Sequence, residues 1–299
     1  MKHAVLGIGG VGGLLAALLG QSGYEVRAIV RPESVRLHPK TVVADRQNEQ
    51  LEIPISVSSA LQEPTEVLWV AVKATQLESA LQQLKPTYAL AATVVPLLNG
   101  IDHVARLRRS FGTSVVPATI TVESERIAVA HVVQRSAFVR FGISELGRSR
   151  LENVMKKLSA RAVDYQFVRS EDTLMWSKLC FLAPLALVTT ASRMAIGDVL
   201  AHTHWSRRLR SATEEVCTIA IEEGAEIDAQ KILASHAALS PSTRSSMQKD
   251  LAAGRQLELD AIVGPILRGA KTHHLPARTC RKLNELISRS LQATELLEH

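Results

Sequence analysis

KHAVLGIGGVGGLLAALLG, residues 2–20, is the stretch that decides the fold. Lys2 to Leu6 alternates as a short buried strand, and Gly7-Ile8-Gly9-Gly10-Val11-Gly12 then fits G-x-G-x-x-G. An unbroken apolar helix pattern follows to about Ser22, and a second strand, Glu25 to Val30, closes a β-α-β unit. Each glycine answers a physical need. Gly7 allows the tight turn, Gly9 lets backbone N–H groups approach a pyrophosphate, and Gly12 lets helix and strand pack closely. The helix N-terminus adds oriented donors for phosphate, so all six residues, Gly7 through Gly12, are read as dinucleotide contacts. A secretory leader or membrane span is the competing reading of this apolar start. It is too short, too weakly flanked by charge and too rich in glycine for either.

Cofactor choice is read at the end of the second strand. Where an NAD-binding chain carries Asp or Glu to hold the adenine-ribose hydroxyls, this one has Arg31, with Glu33 two residues on. A guanidinium favours the 2′-phosphate of NADP(H) through charge-assisted bonds, whereas a carboxylate there would repel it.

Strand-like runs recur at 51–57, 67–72, 93–98, 114–120, 128–133 and 137–141, with helical stretches at 76–84 and 102–109 among them. A helix over 148–160 and a strand at 163–168 end this part. The alternation predicts a mostly parallel, doubly wound sheet. After Ser170 the pattern turns helical, at 173–190, 204–223, 229–237, 245–253, 257–273 and 277–297. The expected architecture is α/β: a Rossmann-type doubly wound domain over residues 1–168 and an all-α domain over 169–299 that completes the active site.

Bulk composition agrees. The 299 residues are 46% hydrophobic and 21% charged, enough for two cores and too apolar for extended disorder. The formal net charge of +6 suits an anionic small molecule. Its arginine runs, at 106–109 and 207–210, lack aromatic interleaving and read as solvated helix faces, so neither nucleic acid nor membrane is expected as a partner. Cys180, Cys217 and Cys280 are widely spaced, which predicts reduced thiols, no metal site and a cytoplasmic location. His131, His273 and His274 lack companion spacing and are read as surface or packing residues. Monomer and homodimer are both compatible with the sequence.

Four polar groups stand in or beside apolar contexts. Lys73 ends the run Val70-Ala71-Val72, and Asn99 follows Pro96-Leu97-Leu98; both sit at the strand edge where open α/β sheets bind ligands. Lys178, in Trp176-Ser177-Lys178-Leu179, precedes a greasy helix stretch, where it either snorkels outward or sits in a partly dry cleft. Glu258, at the start of another apolar helix, could supply a carboxylate to partner that lysine.

Taken in register, Gly7–Gly12, Arg31, VAVKATQ around Lys73, LLNG around Asn99, WSKL around Lys178 and SSMQKDLAAGRQLELD over 245–260 resemble the ketopantoate reductase (2-dehydropantoate 2-reductase) family along the whole chain. The resemblance implies NADPH-dependent reduction of the keto group of 2-dehydropantoate to pantoate, a step of pantothenate biosynthesis. Lys178 would be the general acid, and Glu258 would orient it and hold its charge. Asn99 would touch nicotinamide and substrate, Ser246 the substrate, and Lys73 the cofactor. The match fails at three substrate-facing positions, where Leu182, Ala186 and Ile196 replace the family's asparagines. Lost donors mean lost selectivity for a hydroxylated substrate. A reductase of a more apolar 2-oxo acid or ketone, an idle NADP-binding sensor and a 3-hydroxy acid dehydrogenase are therefore alternatives.

Overall fold

Ala4, Val5 and Leu6 are fully buried because β1 (Lys2–Leu6) lies in the middle of a sheet. The computed structural model describes residues 1–47 and 49–295. In chain order after β1 come α1 (Gly10–Gln21), β2 (Glu25–Ile29), β3 (Thr41–Arg46), β4 (Glu49–Pro54), β5 (Ser56–Ser58), β6 (Val67–Val70), α2 (Leu77–Leu81), α3 (Pro86–Ala89), β7 (Thr93–Pro96) and α4 (Asp102–Phe111). The strands β8 (Ala118–Thr121), β9 (Ser124–Ala128), β10 (His131–Gln134) and β11 (Val139–Ser144), then α5 (Arg148–Ser159) and β12 (Val163–Val168), follow. Among the described residues the rest is helical: α6 (Glu171–Ser192), α7 (Ile196–Ala201), α8 (Thr203–Glu222), α9 (Ala229–Ala237), α10 (Ser246–Ala252), α11 (Leu259–Thr272) and α12 (Arg278–Glu295). The chain divides into two compact units, Met1–Leu98 with Asp102–Leu174, and Asn99–Ile101 with Met175–His299. The division falls inside α6, so no linker composition marks it.

In the first unit the parallel sheet runs β5-β2-β1-β6-β7, with β1 in register with β2 from Lys2↔Glu25 to Leu6↔Ile29. This is the doubly wound core that the alternation predicts. The remaining strands do not extend it. They form a four-stranded sheet, β4-β3-β10-β9, and a three-stranded sheet, β12-β11-β8. The expected strand 51–57 is two strands, because Pro54 has no N–H to continue a ladder: β4 pairs antiparallel with β3, and β5 pairs parallel with β2. The expected strand 128–133 likewise splits into β9 and β10, turning through Ala130 at φ 56°. Pro117 delays the start of β8 to Ala118. Sequence reading missed β3 altogether.

The second sheet explains why α1 is apolar all round. It packs on β1 and β2 and also against β3, β4, β9 and β10, leaving Gly12 through Leu19 buried. A Cβ on Gly13 would lie 2.6 Å from Val132 Cγ1, and one on Gly20 would lie 2.1 Å from Ile53 Cγ2. Glycines that weaken a lone helix are here what lets two sheets close on one.

In the second unit α6, with a mean hydropathy of 1.5 over its most apolar stretch, is long enough to cross a membrane, yet 72% of that stretch is buried inside the protein. It runs through one core with α7, α8, α10, α11 and α12. Sequence reading missed α7. The final helix begins at Arg278, and residues 296–297 of its expected span lie outside the described residues. Cys180, Cys217 and Cys280 are free and buried.

Gly12 gives the fold's sharpest test. A Cβ there would sit 1.9 Å from the Gly7 carbonyl oxygen and 3.1 Å from Ala71 Cβ. Gly12→Ala is expected to destabilise the first unit by about 1–3 kcal/mol, the usual cost of overpacking, read as a lower urea midpoint.

Candidate active site

The glycine loop leaves β1 through Gly7 at φ +92°, whose amide bonds the Ile29 carbonyl at 3.0 Å. Gly10 is equally constrained: a Cβ would lie 2.4 Å from the Ser124 carbonyl oxygen, while the Ser124 hydroxyl donates to the Gly10 carbonyl at 2.8 Å. Gly9 differs, since a Cβ built on it meets nothing within 4 Å. Gly9 is also the N-cap of α1 and has no side chain to satisfy the first N–H groups of the helix. Open space over one glycine, next to uncapped amides, fits a pyrophosphate. Ile8 and Val11 pack into the core, so their share in such a site is main-chain.

Arg31 lies just past β2, where it precedes a short 3₁₀ turn, Pro32–Leu37. Its side chain is 70% exposed and its Nε is 3.4 Å from Glu33 Oε1. Lys73 follows β6, half-buried, its carbonyl accepting from the Gln76 amide at 2.9 Å. Both stand beyond the carboxyl ends of central strands, on the edge where the glycine loop also lies.

In the second unit Lys178 sits on the second turn of α6, partly solvent-accessible yet surrounded by dense apolar protein. Burial pushes its pKa from 10.5 down to about 8, and the charge of Glu258 opposes that fall. Glu258 is 8% exposed at the N-cap position of α11, and its Oε2 accepts from Asn99 Nδ2 at 3.1 Å. Lys178, Glu258 and Asn99, far apart in sequence, thus form one cluster.

Ser246 is exposed as the first residue of α10. Ala186 and Ile196 are wholly inside the apolar core, the Ile196 amide bonding the Thr243 carbonyl, while Leu182 packs on that core half-buried. The two buried residues stand in the core rather than at an open surface.

Two positioning contacts escaped sequence reading. Gly100, at φ +80°, brings the 99–101 segment so close to α11 that a Cβ would lie 2.2 Å from the Ala261 carbonyl oxygen. The Asn-Gly dipeptide was the available signal. The other is the 2.8 Å bond between the buried hydroxyls of Thr189 and Ser245, which ties α6 to the N-cap of α10, next to Ser246. Two of the histidines turn out to have carboxylate partners: His131 meets Asp45 at 2.8 Å, and His273 meets Glu223 at 2.9 Å. Among the described residues no group of three or more His, Cys, Asp and Glu could hold a metal ion.

A glycine-loop nucleotide fold, joined in one chain to a helical unit with a partly desolvated lysine and a carboxylate, defines a two-part oxidoreductase. Comparison with known proteins agrees. Residues 3–146 match the family described as ketopantoate reductase PanE/ApbA, and residues 172–291 match its C-terminal domain. The chain belongs to this family, whose reaction is reduction of a 2-oxo acid with a nicotinamide cofactor. The uncharacterized oxidoreductase YkpB of Bacillus subtilis is 26% identical over 293 residues, 93% of this chain and 94% of that protein. A 2-dehydropantoate 2-reductase of Caulobacter vibrioides is 26% identical over 280 residues, 90% and 92% of the two chains. In fold, the crystal structure of a PanE/ApbA family ketopantoate reductase from Ralstonia eutropha matches with a TM-score of 0.89 at 24% identity, covering 99% of this chain and 100% of that one.

Three outcomes follow from this geometry. Gly9→Ala should unfold within about 0.5 kcal/mol of the parent, because its methyl meets no protein, yet weaken dinucleotide binding at least about tenfold by occupying the phosphate's place. The proton on Lys178 is present below its pKa and lost above it, so the rate of proton donation should fall as pH rises through about 8. Glu258→Gln removes the opposing charge and should move that limb of the pH profile to lower pH.

Proposed function

We propose that the protein reduces the keto group of a 2-oxo acid to a 2-hydroxy acid with NADPH. The observation that carries this reading is the cluster of Lys178, Glu258 and Asn99, an ammonium kept partly dry and faced by an oriented carboxylate. The backbone at Gly9 through Gly12 would hold the pyrophosphate, Lys73 would add charge near the phosphates, and Arg31 would pair with the 2′-phosphate. A bound nicotinamide supplies the hydride that reduces the keto carbon.

The chain's own residues supply the rest. The Lys178 ammonium donates a hydrogen bond to the keto oxygen, stabilises the negative charge developing there and then gives up its proton. Its depressed pKa suits a donor near neutral pH, where a lysine in water would release its proton sluggishly. Glu258 keeps the ammonium charged despite burial. Asn99 spends its amide on Glu258, fixing the carboxylate that faces the lysine, and Ser246 offers a hydroxyl for the substrate carboxylate. Reduction of 2-dehydropantoate to pantoate is the finer reading that the family resemblance carries, and that substrate comes first in any assay.

The test is consumption of NADPH with a panel of 2-oxo acids. Lys178→Ala is expected to lower kcat about 10²–10⁴-fold while NADPH binding persists. Wild-type turnover in that variant would refute the mechanism, and tight NADPH binding with silence across the panel would favour a sensor. Arg31→Ala should raise the KM for NADPH more than that for NADH; equal effects would remove the 2′-phosphate assignment.

A further inference from the structure

From Leu174 to Thr190, α6 is buried except at Ser177, Lys178, Phe181 and Leu182. Positions three and four residues apart share a helix face, so Phe181 and Leu182 flank the ammonium of Lys178 one turn further along. The only stretch of this helix with solvent access beside the lysine is therefore walled by an aromatic and an aliphatic side chain.

Phe181 is held in place by a buried histidine. The ring of His236, from α9, stacks on the Phe181 ring at 4.9 Å and 30°. Its Nε2 lies 2.8 Å from the Phe181 carbonyl oxygen. A carbonyl only accepts, so Nε2 carries the hydrogen, and Nδ1 is left buried without a hydrogen-bond partner. Leaving that lone pair unpaired costs free energy, which the stack and the carbonyl bond must offset. The bonded carbonyl is next to that of Cys180, which loses its helical partner because Pro184 has no N–H. His236 thus fixes both the backbone and the ring of Phe181 beside the lysine.

We propose that Phe181 and Leu182, with Phe181 clamped by His236, form the subsite for the substrate's side chain and select 2-oxo acids with a branched or aromatic apolar group over those bearing a hydroxyl. This deepens the proposed function and rests on Lys178 as proton donor. A hydroxyl placed against these two side chains loses water and gains no partner, whereas a methyl or phenyl group gains contact.

Three substrates test it: 2-dehydropantoate, 3,3-dimethyl-2-oxobutanoate, which differs from it by one hydroxyl, and phenylglyoxylate. The wild type should favour the dimethyl compound over 2-dehydropantoate by about tenfold in kcat/KM, the scale of one unpaired buried hydroxyl. Leu182→Asn should bring that ratio to one or below. His236→Ala should raise KM for the two apolar acids with kcat nearly kept, and His236→Gln, which can still donate to the carbonyl, should recover part of the loss. If His236→Ala does not fold, the Leu182→Asn ratio decides alone. Preference for 2-dehydropantoate by the wild type, or an unchanged ratio in Leu182→Asn, would overturn the subsite while leaving the reductase standing. Silence with all three acids would overturn both.

Discussion

An ammonium inside protein is unstable unless something opposes its desolvation, and the second unit is organised around that problem. Burial alone would drive Lys178 toward the neutral amine; Glu258 alone would hold it fully charged. The balance leaves a group that is charged at neutral pH and ready to lose its proton. It depends on where the carboxylate stands, and two features set that: the start of α11, and the amide of Asn99. Gly100 makes the second possible, because any larger residue would push the segment off Ala261. Three residues that follow β7 in the chain therefore belong physically to the helical unit.

The parts legible in the sequence are those governed by local pattern. The β1-α1-β2 unit is legible because strand period, glycine spacing and helix period all lie within the first 30 residues. Lys178, Asn99 and Glu258 stand out in the sequence because each lies in or beside an apolar run. The second sheet is hidden for the opposite reason. Its strands β3 and β10 are short, pair across 88 residues at Arg46 and Gln134, and have one wet face, so β3 does not announce itself and β10 shows only as part of a longer run. The pairings of Thr189 with Ser245, 56 residues apart, and of Phe181 with His236, 55 apart, are not legible from either residue singly. Their roles exist only once the helices are packed.

Apolar all-round helices usually imply deep burial between layers. Here two helices meet that description for different ends. α1 is greasy because sheets cover it on both sides, and its glycines admit Val132 and Ile53. From Leu174 to Thr190, α6 is greasy because a helical core surrounds it, interrupted only beside the lysine.

The glycine loop and Arg31 differ in how freely each can change. Gly7, Gly10 and Gly12 are pinned by Val72, by Ser124 and by one another, so nearly any replacement disturbs the core. Arg31 stands in an exposed corner, and its ion-pair contact with Glu33 contributes little to stability. With Arg31 proposed to meet the 2′-phosphate and the glycine loop the pyrophosphate, mutational drift at residue 31 would retune which nicotinamide dinucleotide is preferred while the loop stays intact, and a lineage could cross between the two cofactors through folded intermediates at every step.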